Sequence, residues 1–279
     1  MHPTRAYEMP EDPDAALALA AHHPPSAFLA GGTSERLRHP PFEWLLIDLS
    51  RLGLDTVDVG PSNFRLGATA TLNRVLEHFA VRQLAEGILH EALEASGHAA
   101  WRNHATLGGR LMDWAVDDAL TAVLVVLGAR GVLQSLAGAA PETRALESLT
   151  DTQGGLLLRV EIETSAACRF ALETLRLTTY DPPVVSVAAA IRVARGKVSE
   201  ARIAAAGVGA RLRRAQRTES ALVGSVWPLE SFESAQEALC ADIQPQDDVR
   251  ATARFRAHVA ATLLGRALCR LAEPRSEDA

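Results

Sequence analysis

The chain lacks most of the patterns that mark a metal centre, a nucleotide fold or a nucleic-acid interface. Its three cysteines, Cys168, Cys240 and Cys269, are widely spaced and form no C-x-x-C pair. This polypeptide therefore offers no cysteine set for an iron–sulfur cluster or a structural zinc. An odd number of isolated cysteines fits a reducing cytosol, so packing roles and a cytoplasmic location are expected. The nine histidines show neither H-x-x-x-H nor H-E-x-x-H spacing, and no metal is expected. Missing too are G-x-x-x-x-G-K-[ST], G-x-G-x-x-G and G-x-S-x-G, which sets aside a P-loop, a Rossmann fingerprint and a hydrolase elbow. Gly207-Val208-Gly209 has no third glycine and reads as a turn among strands. No apolar run is long enough to span a bilayer, and the longest, near Ala119 to Ala129, suits a buried helix. The opening residues (Glu8, Pro10, Glu11, Asp12, Pro13) are acids and prolines, so no signal peptide is expected. The net charge is -6 and no basic stripe is present, which argues against nucleic acid. The cluster Arg211, Arg213, Arg214 and Arg217 reads as a solvated face.

What the chain does contain is an ordinary globular balance. Its 279 residues, 48% hydrophobic and 22% charged, can bury a sizeable core and are within reach of two domains. Asp14 to Ala21 reads as a helix, stopped by Pro24-Pro25, and Ala27 to Ala30 as a short strand. Trp44 to Leu49 is a second apolar strand, and Val57 to Val59 with Phe64 to Ala68 flank a turn. Leu72 to His78, with Thr71 as its cap, and Val81 to Ser96 read as helices. The apolar helix near Leu120 to Leu127 is closed by Gly128. Val132 to Leu136 and Leu156 to Ile162 are strand-like, with a polar surface loop between them. The last third changes character. Phe170 to Leu177, Val184 to Val193 and Val198 to Val208 read as three strands, the last two joined at Arg195-Gly196-Lys197. Arg254 to Leu271 is an amphipathic helix with arginines on its exposed side, and Pro274 to Ala279 a frayed tail.

Two glycine–threonine loops stand out: Ala30-Gly31-Gly32-Thr33-Ser34 and Ala105-Thr106-Leu107-Gly108-Gly109. A diphosphate is a dense anion that needs matched donors. Consecutive backbone N–H groups in a glycine-bearing turn form an anion nest, and a helix N-terminus adds positive dipole. Glycine lets the backbone approach a ligand closely and adopts positive φ. Thr33, Ser34 and Thr106 add hydroxyl donors. Either loop alone is compatible with an ordinary turn; a pair of them could hold a diphosphate from two sides.

The string Trp101-Arg102-Asn103-His104-Ala105-Thr106-Leu107-Gly108-Gly109 resembles the V-R-N-x-A-T-I-G-G signature of the FAD-binding medium subunits of molybdenum hydroxylases. That family includes the flavin subunits of carbon monoxide dehydrogenase and xanthine dehydrogenase. Ala30-Gly31-Gly32-Thr33 is similar to its first flavin loop, A-G-G-T-D. Asp181 to Ala188 is similar to its D-x-x-x-V-S-V-A strand, and Gly207-Val208 followed by Arg214-Ala215, with Arg254-Phe255-Arg256 and Leu264 to Leu268, to its C-terminal domain. The resemblance covers nearly the whole chain. It implies an α+β fold: two small α/β subdomains of a PCMH/VAO-type FAD-binding domain, spanning 1–55 and 56–166. A C-terminal domain, 167–279, would follow with a three-stranded antiparallel sheet and helices. It also implies FAD held by Ala30, Gly31, Gly32, Thr33 and Ser34 on one side and Thr106, Leu107, Gly108, Gly109 and Arg110 on the other. No catalytic residue is expected on this chain. Its partners would be a large molybdopterin-binding subunit and a small [2Fe-2S] subunit, with a dimer of such heterotrimers as one assembly. Electrons would pass from the partner's clusters through FAD to an external acceptor.

The chain departs from the family pattern in places. Arg110 stands where asparagine or aspartate follows the two glycines, and arginine can donate to phosphate. Ala115-Val116-Asp117-Asp118-Ala119 replaces S-P-x-x-D, leaving Asp118 one residue early. Asp118 is read equally as a contact to the adenosine end of FAD and as the acid that opens the next helix. Glu173 aligns with a lysine of some members, and Arg176 is the nearest basic residue. Trp101 and Trp114 flank the second loop, in packing or stacking roles. These departures motivate an alternative reading, a degenerate member kept as an assembly module without FAD. A stand-alone flavin oxidase is disfavoured, since no general base is in position.

Overall fold

A computed structural model describes residues 6–34, 45–60, 63–112, 118–136, 140–151, 155–163, 168–178, 181–209 and 214–273. In chain order, β1 (Ala6–Glu8), α1 (Pro13–His22), β2 (Ser26–Leu29) and β3 (Leu45–Asp48) come first. Then follow β4 (Val57–Val59), β5 (Asn63–Gly67), α2 (Leu72–Glu77), α3 (Phe79–Gln83) and α4 (Ile88–Ala95). Next are α5 (Ala99–Arg102), α6 (Leu107–Met112), α7 (Ala119–Val126), β6 (Arg130–Gln134), β7 (Glu142–Ala145) and β8 (Leu156–Glu163). β9 (Arg169–Leu175), β10 (Val185–Ala194), β11 (Lys197–Ala206), α8 (Gln216–Leu222), α9 (Glu233–Asp242) and α10 (Ala253–Ala272) complete the series. The expectations for Trp44, Trp114 to Asp117, Arg211, Arg213 and the tail from Pro274 lie outside the described residues. The elements fall into two compact units. One comprises Met1–His78, His98–Trp114 and Ala129–Glu163; the other comprises Phe79–Gly97, Ala115–Gly128 and Thr164–Ala279.

The first unit holds a parallel sheet of order β1-β3-β2 and an antiparallel sheet of order β4-β5-β8-β6-β7. α1 begins as its sequence dictates: the Asp12 carboxylate accepts the Ala15 N–H at 2.7 Å, with Pro13 in the first turn. Its buried face, Ala16 and Leu17, packs with Leu45 and Ile47 of the parallel sheet, with Leu49 just beyond it, and with Val132, Leu156 and Leu158 of the antiparallel one. Thr71 caps α2 by accepting the Arg74 N–H at 3.2 Å.

The second unit is built on the antiparallel sheet β11-β10-β9. Val185, Val187, Ala189 and Ile191 alternate onto one face and join Leu222, Leu239, Leu264 and Leu268 of α8, α9 and α10 in a single core. α7 packs on β10 and β11, where Ala188, Ala190, Ala204 and Ala206 present only small side chains. The Arg195-Gly196 turn has φ of 54° and 70°, the doubly left-handed form that matches the twist of a tight hairpin.

Three expectations need correction. The helix expected over Val81 to Ser96 is broken, because Ala85, Glu86 and Gly87 take φ of 51°, 61° and 84°. The polar stretch before β8 contains β7, an exposed edge strand. Arg256, expected on the exposed side of α10, is buried. It donates to the carbonyls of Val184 and Gly207, both at 2.8 Å, and to Asp248 at 2.6 Å.

Candidate cofactor-binding site

The first glycine loop leaves the carboxyl end of the parallel sheet. β2 lies beside β3 with Leu29 opposite Asp48, and the Leu49 N–H donates to the Leu29 carbonyl at 2.8 Å. Ala30 to Ser34 follow directly. Ligands of open parallel sheets bind outside this end as a rule. Gly32 has φ of 64° and is exposed, while Gly31, Thr33 and Ser34 are half-buried. Among the described residues the N–H groups of Gly31, Gly32 and Thr33 meet no acceptor.

The second loop is stitched in place. His98 caps α5 through Nδ1, which accepts the Trp101 N–H at 3.2 Å. The Trp101 carbonyl then accepts the N–H groups of His104 and Ala105, at 3.0 and 2.9 Å. The Ala105 carbonyl accepts from Leu72 at 2.8 Å; Leu107 and Gly108 donate to Ala70 and Ala68 at 2.9 and 2.7 Å. Gly109 donates to Thr106 Oγ1 at 3.2 Å, and Arg110 to the Thr106 carbonyl at 3.1 Å. This differs from the nest expected here: all four amides of the first turn of α6 have internal acceptors. Gly108 is required for packing, since a Cβ would sit 2.8 Å from the Ala68 carbonyl oxygen and 2.9 Å from its Cβ. Thr106 is buried and its hydroxyl accepts from Gly109, leaving its own proton to donate.

The structure brings the two loops together. A Cβ on Gly31 would fall on the His104 carbonyl, with the Ala105 Cα 3.4 Å away. Only a residue without a side chain lets the first loop lie on the second. Arg110 does not point freely from its turn; its guanidinium carbon is 5.0 Å from the centroid of the Trp101 ring, a cation–π contact. Asp118 lies in the other unit and caps α7 in a full capping box. Its Oδ1 accepts the Thr121 N–H at 3.0 Å and the Thr121 hydroxyl at 2.6 Å. Glu173, on β9, pairs with Arg270 at 3.7 Å.

Sequence reading passed over Tyr7 and Asp48. The Tyr7 hydroxyl donates to Asp48 Oδ2, and Asp48 Oδ1 accepts the Ser50 N–H at 2.7 Å. The hydrogen bond to the carboxylate raises the Tyr7 pKa above its ordinary value. Burial pushes Asp48 upward, but the bonds from Ser50 and Tyr7 outweigh it and hold the carboxyl below the usual range. An acid closing the apolar run Leu45 to Asp48 was the available signal.

Residues 3–161 match the FAD binding domain in molybdopterin dehydrogenase, and residues 170–271 the CO dehydrogenase flavoprotein C-terminal domain. The chain belongs to the FAD-binding medium subunits of the molybdenum hydroxylases. Its fold agrees. The structure superposes on carbon monoxide dehydrogenase of Hydrogenophaga pseudoflava with a TM-score of 0.86 at 26% identity, covering 98% of both chains. Quinoline 2-oxidoreductase of Pseudomonas putida gives 0.84 at 26% identity, again over 98% of each. Among curated relatives, the 6-hydroxypseudooxynicotine dehydrogenase complex subunit alpha of Paenarthrobacter nicotinovorans is 26% identical, covering 96% of this chain and 94% of its own. Membership of this family makes FAD the cofactor and a multi-subunit hydroxylase the setting. Among the described residues no helix is long and apolar enough to cross a membrane.

Proposed function

We propose that this chain holds FAD in a molybdenum hydroxylase, where electrons from the iron–sulfur clusters of a partner chain leave through the flavin to an external acceptor. The observation that carries this reading is the contact of the two glycine loops at Gly31 and His104. The amides of Gly31, Gly32 and Thr33, which meet no acceptor among the described residues, fit the FAD diphosphate, an anion without its own donors. When bound, the isoalloxazine supplies the redox chemistry; the protein supplies binding, orientation and electrostatics.

In this reading Ala30, Gly31, Gly32, Thr33 and Ser34 provide the anion-facing amides and hydroxyls. Thr106, Leu107, Gly108, Gly109 and Arg110 back them, with the Thr106 hydroxyl as a donor. Asp118, which caps its helix, is kept in the proposal as a contact to the adenosine end. Domain limits at 1–55, 56–166 and 167–279 belong to the same proposal. So do a large molybdopterin-binding subunit, a small [2Fe-2S] subunit, a dimer of heterotrimers and a cytoplasmic location. The chain's isolated cysteines, Cys168 buried and Cys240 and Cys269 exposed, leave cluster binding to a partner.

Co-expression with the neighbouring reading frames, followed by purification through a tag on this chain, tests the assignment. A complex containing stoichiometric FAD and iron on separate polypeptides is the expected result. A chain that takes up no FAD, alone or in that complex, refutes it.

A further inference from the structure

The parallel sheet of the first unit is made of strands only three and four residues long. So short a ladder holds its ends weakly, and each additional tie there counts. At the carboxyl end one side-chain bond joins the edge strand to the central one: Tyr7 of β1 donates to Asp48 of β3. Asp48 is 9% exposed and Tyr7 47%, so a nearly buried carboxylate is held by a tyrosine that reaches solvent. The second carboxylate oxygen accepts the Ser50 N–H. Between Asp48 and Ser50 stands Leu49, whose N–H donates to the Leu29 carbonyl. Leu29 is the last residue of β2, and the next residue opens the first glycine loop. Tyr7, Asp48 and Ser50 thus fix the turn whose Leu49 amide fixes the point where that loop departs.

We infer that Tyr7 and Asp48 are positioning residues for the first glycine loop, setting the direction of the Gly31, Gly32 and Thr33 amides. The inference rests on the FAD reading and names residues outside both loops that govern affinity for a diphosphate. Electrostatics acts in the same sense. Asp48 is itself an anion at this end of the sheet, and the Tyr7 and Ser50 donors occupy its lone pairs. Removing the Tyr7 hydroxyl frees the loop's anchor and leaves that negative charge less compensated toward an incoming anion.

The test uses the full chain titrated with FAD and with ADP, which has the diphosphate but no isoalloxazine. Tyr7→Phe keeps the ring and removes the hydroxyl; Asp48→Asn keeps the shape and removes the charge. Tyr7→Phe is expected to weaken FAD and ADP by the same factor, about tenfold, because one charge-assisted bond is lost. Asp48→Asn, which retains one acceptor oxygen, should weaken both by less. Thermal unfolding is measured beside each titration. A Tyr7→Phe chain that melts earlier yet binds both ligands as the wild type does would show a plain structural staple and overturn the inference. Should Asp48→Asn fail to fold, Tyr7→Leu replaces it: equality with Tyr7→Phe supports positioning, and a much larger loss means the ring itself touches the ligand and overturns it. A wild-type chain that binds no FAD removes the cofactor reading and the inference together. Wild-type binding with Tyr7→Phe unaffected removes the inference alone.

Discussion

Replacing Gly31 by alanine adds one methyl group at the contact between the two glycine loops. The new Cβ would fall on the His104 carbonyl, and that carbonyl has little freedom to move. The His104 and Ala105 amides are both bound to the Trp101 carbonyl, at 3.0 and 2.9 Å, and the Ala105 carbonyl holds the Leu72 amide at 2.8 Å. Relief therefore requires the first loop to lift off the second. Overpacking of this kind costs about 1–3 kcal/mol, and in a chain of this size each kcal/mol lowers Tm by roughly 2–4 °C. Gly32→Ala is the matched control. Its Cβ meets only a Leu29 methyl at 3.7 Å, but φ is 64°, which costs a side-chain-bearing residue about 1–2 kcal/mol. The two variants should thus lose comparable stability, while only Gly31→Ala separates the loops. Fluorescence titration with FAD, run well below both melting temperatures, should show Gly31→Ala weakened by ~100-fold and Gly32→Ala by less than ~10-fold, since a displacement near 1 Å is enough to break a preorganised donor set. A Gly31→Ala chain that binds FAD like the wild type refutes the claim that loop contact makes the site.

Asp118→Ala removes the capping box of α7 and should cost about 1 kcal/mol in thermal unfolding; a severalfold weaker FAD affinity is expected with it, and an unchanged affinity takes Asp118 out of the site. Arg256→Ala strands the carbonyls of Val184 and Gly207 that its guanidinium serves and should destabilise the second unit by about 1–3 kcal/mol in denaturant titration. Asp248 is held at about 2 by the Arg256 guanidinium and then by the Ala251 and Arg250 amides, against an ordinary 3.8. A depressed folded pKa gives stability that is complete above pH 3.8 and lost as pH falls through about 2. Acid unfolding between those values should therefore be shallower in Asp248→Asn than in the wild type.

Much of the fold was legible because local chemistry and tertiary packing agree. Thr71 and Gly128 mark helix ends by the hydrogen bond or positive φ that the sequence led one to expect. What escaped reading lacked a burial pattern or was overridden from a distance. β1 and β7 are exposed at every residue, so no alternation betrays them. Ala85 and Glu86 favour helix, yet the chain turns left-handed there. The Glu86 carboxylate then receives the Phe170 amide at 3.2 Å and faces Arg169 Nε at 4.0 Å. The partners that accompany this backbone lie more than eighty residues downstream, and no window of sequence contains them. Arg256 is the same lesson in reverse: a helical wheel assigns a charge to solvent unless its partners are known.

The site was half legible, for a reason its two glycine loops make clear. A glycine signals only that a Cβ is not tolerated, and close packing and ligand access produce the same signal. In the first loop the missing Gly31 side chain lets the chain lie against His104, and among the described residues the Gly31, Gly32 and Thr33 amides meet no acceptor. In the second, Gly108 is there so that the chain can press against Ala68, and its amide is already spent on that residue's carbonyl. In the proposed site, anion recognition by the backbone would therefore fall on Gly31, Gly32 and Thr33, with the second loop as the wall. That division explains why the departures from the family signature are tolerable. Trp101 stands for the signature's valine and Arg110 for its asparagine or aspartate, and the two side chains stack on each other. The altered positions thus accommodate one another on the second loop, while the glycines of the first, which the proposed site turns toward the ligand, match the family's loop.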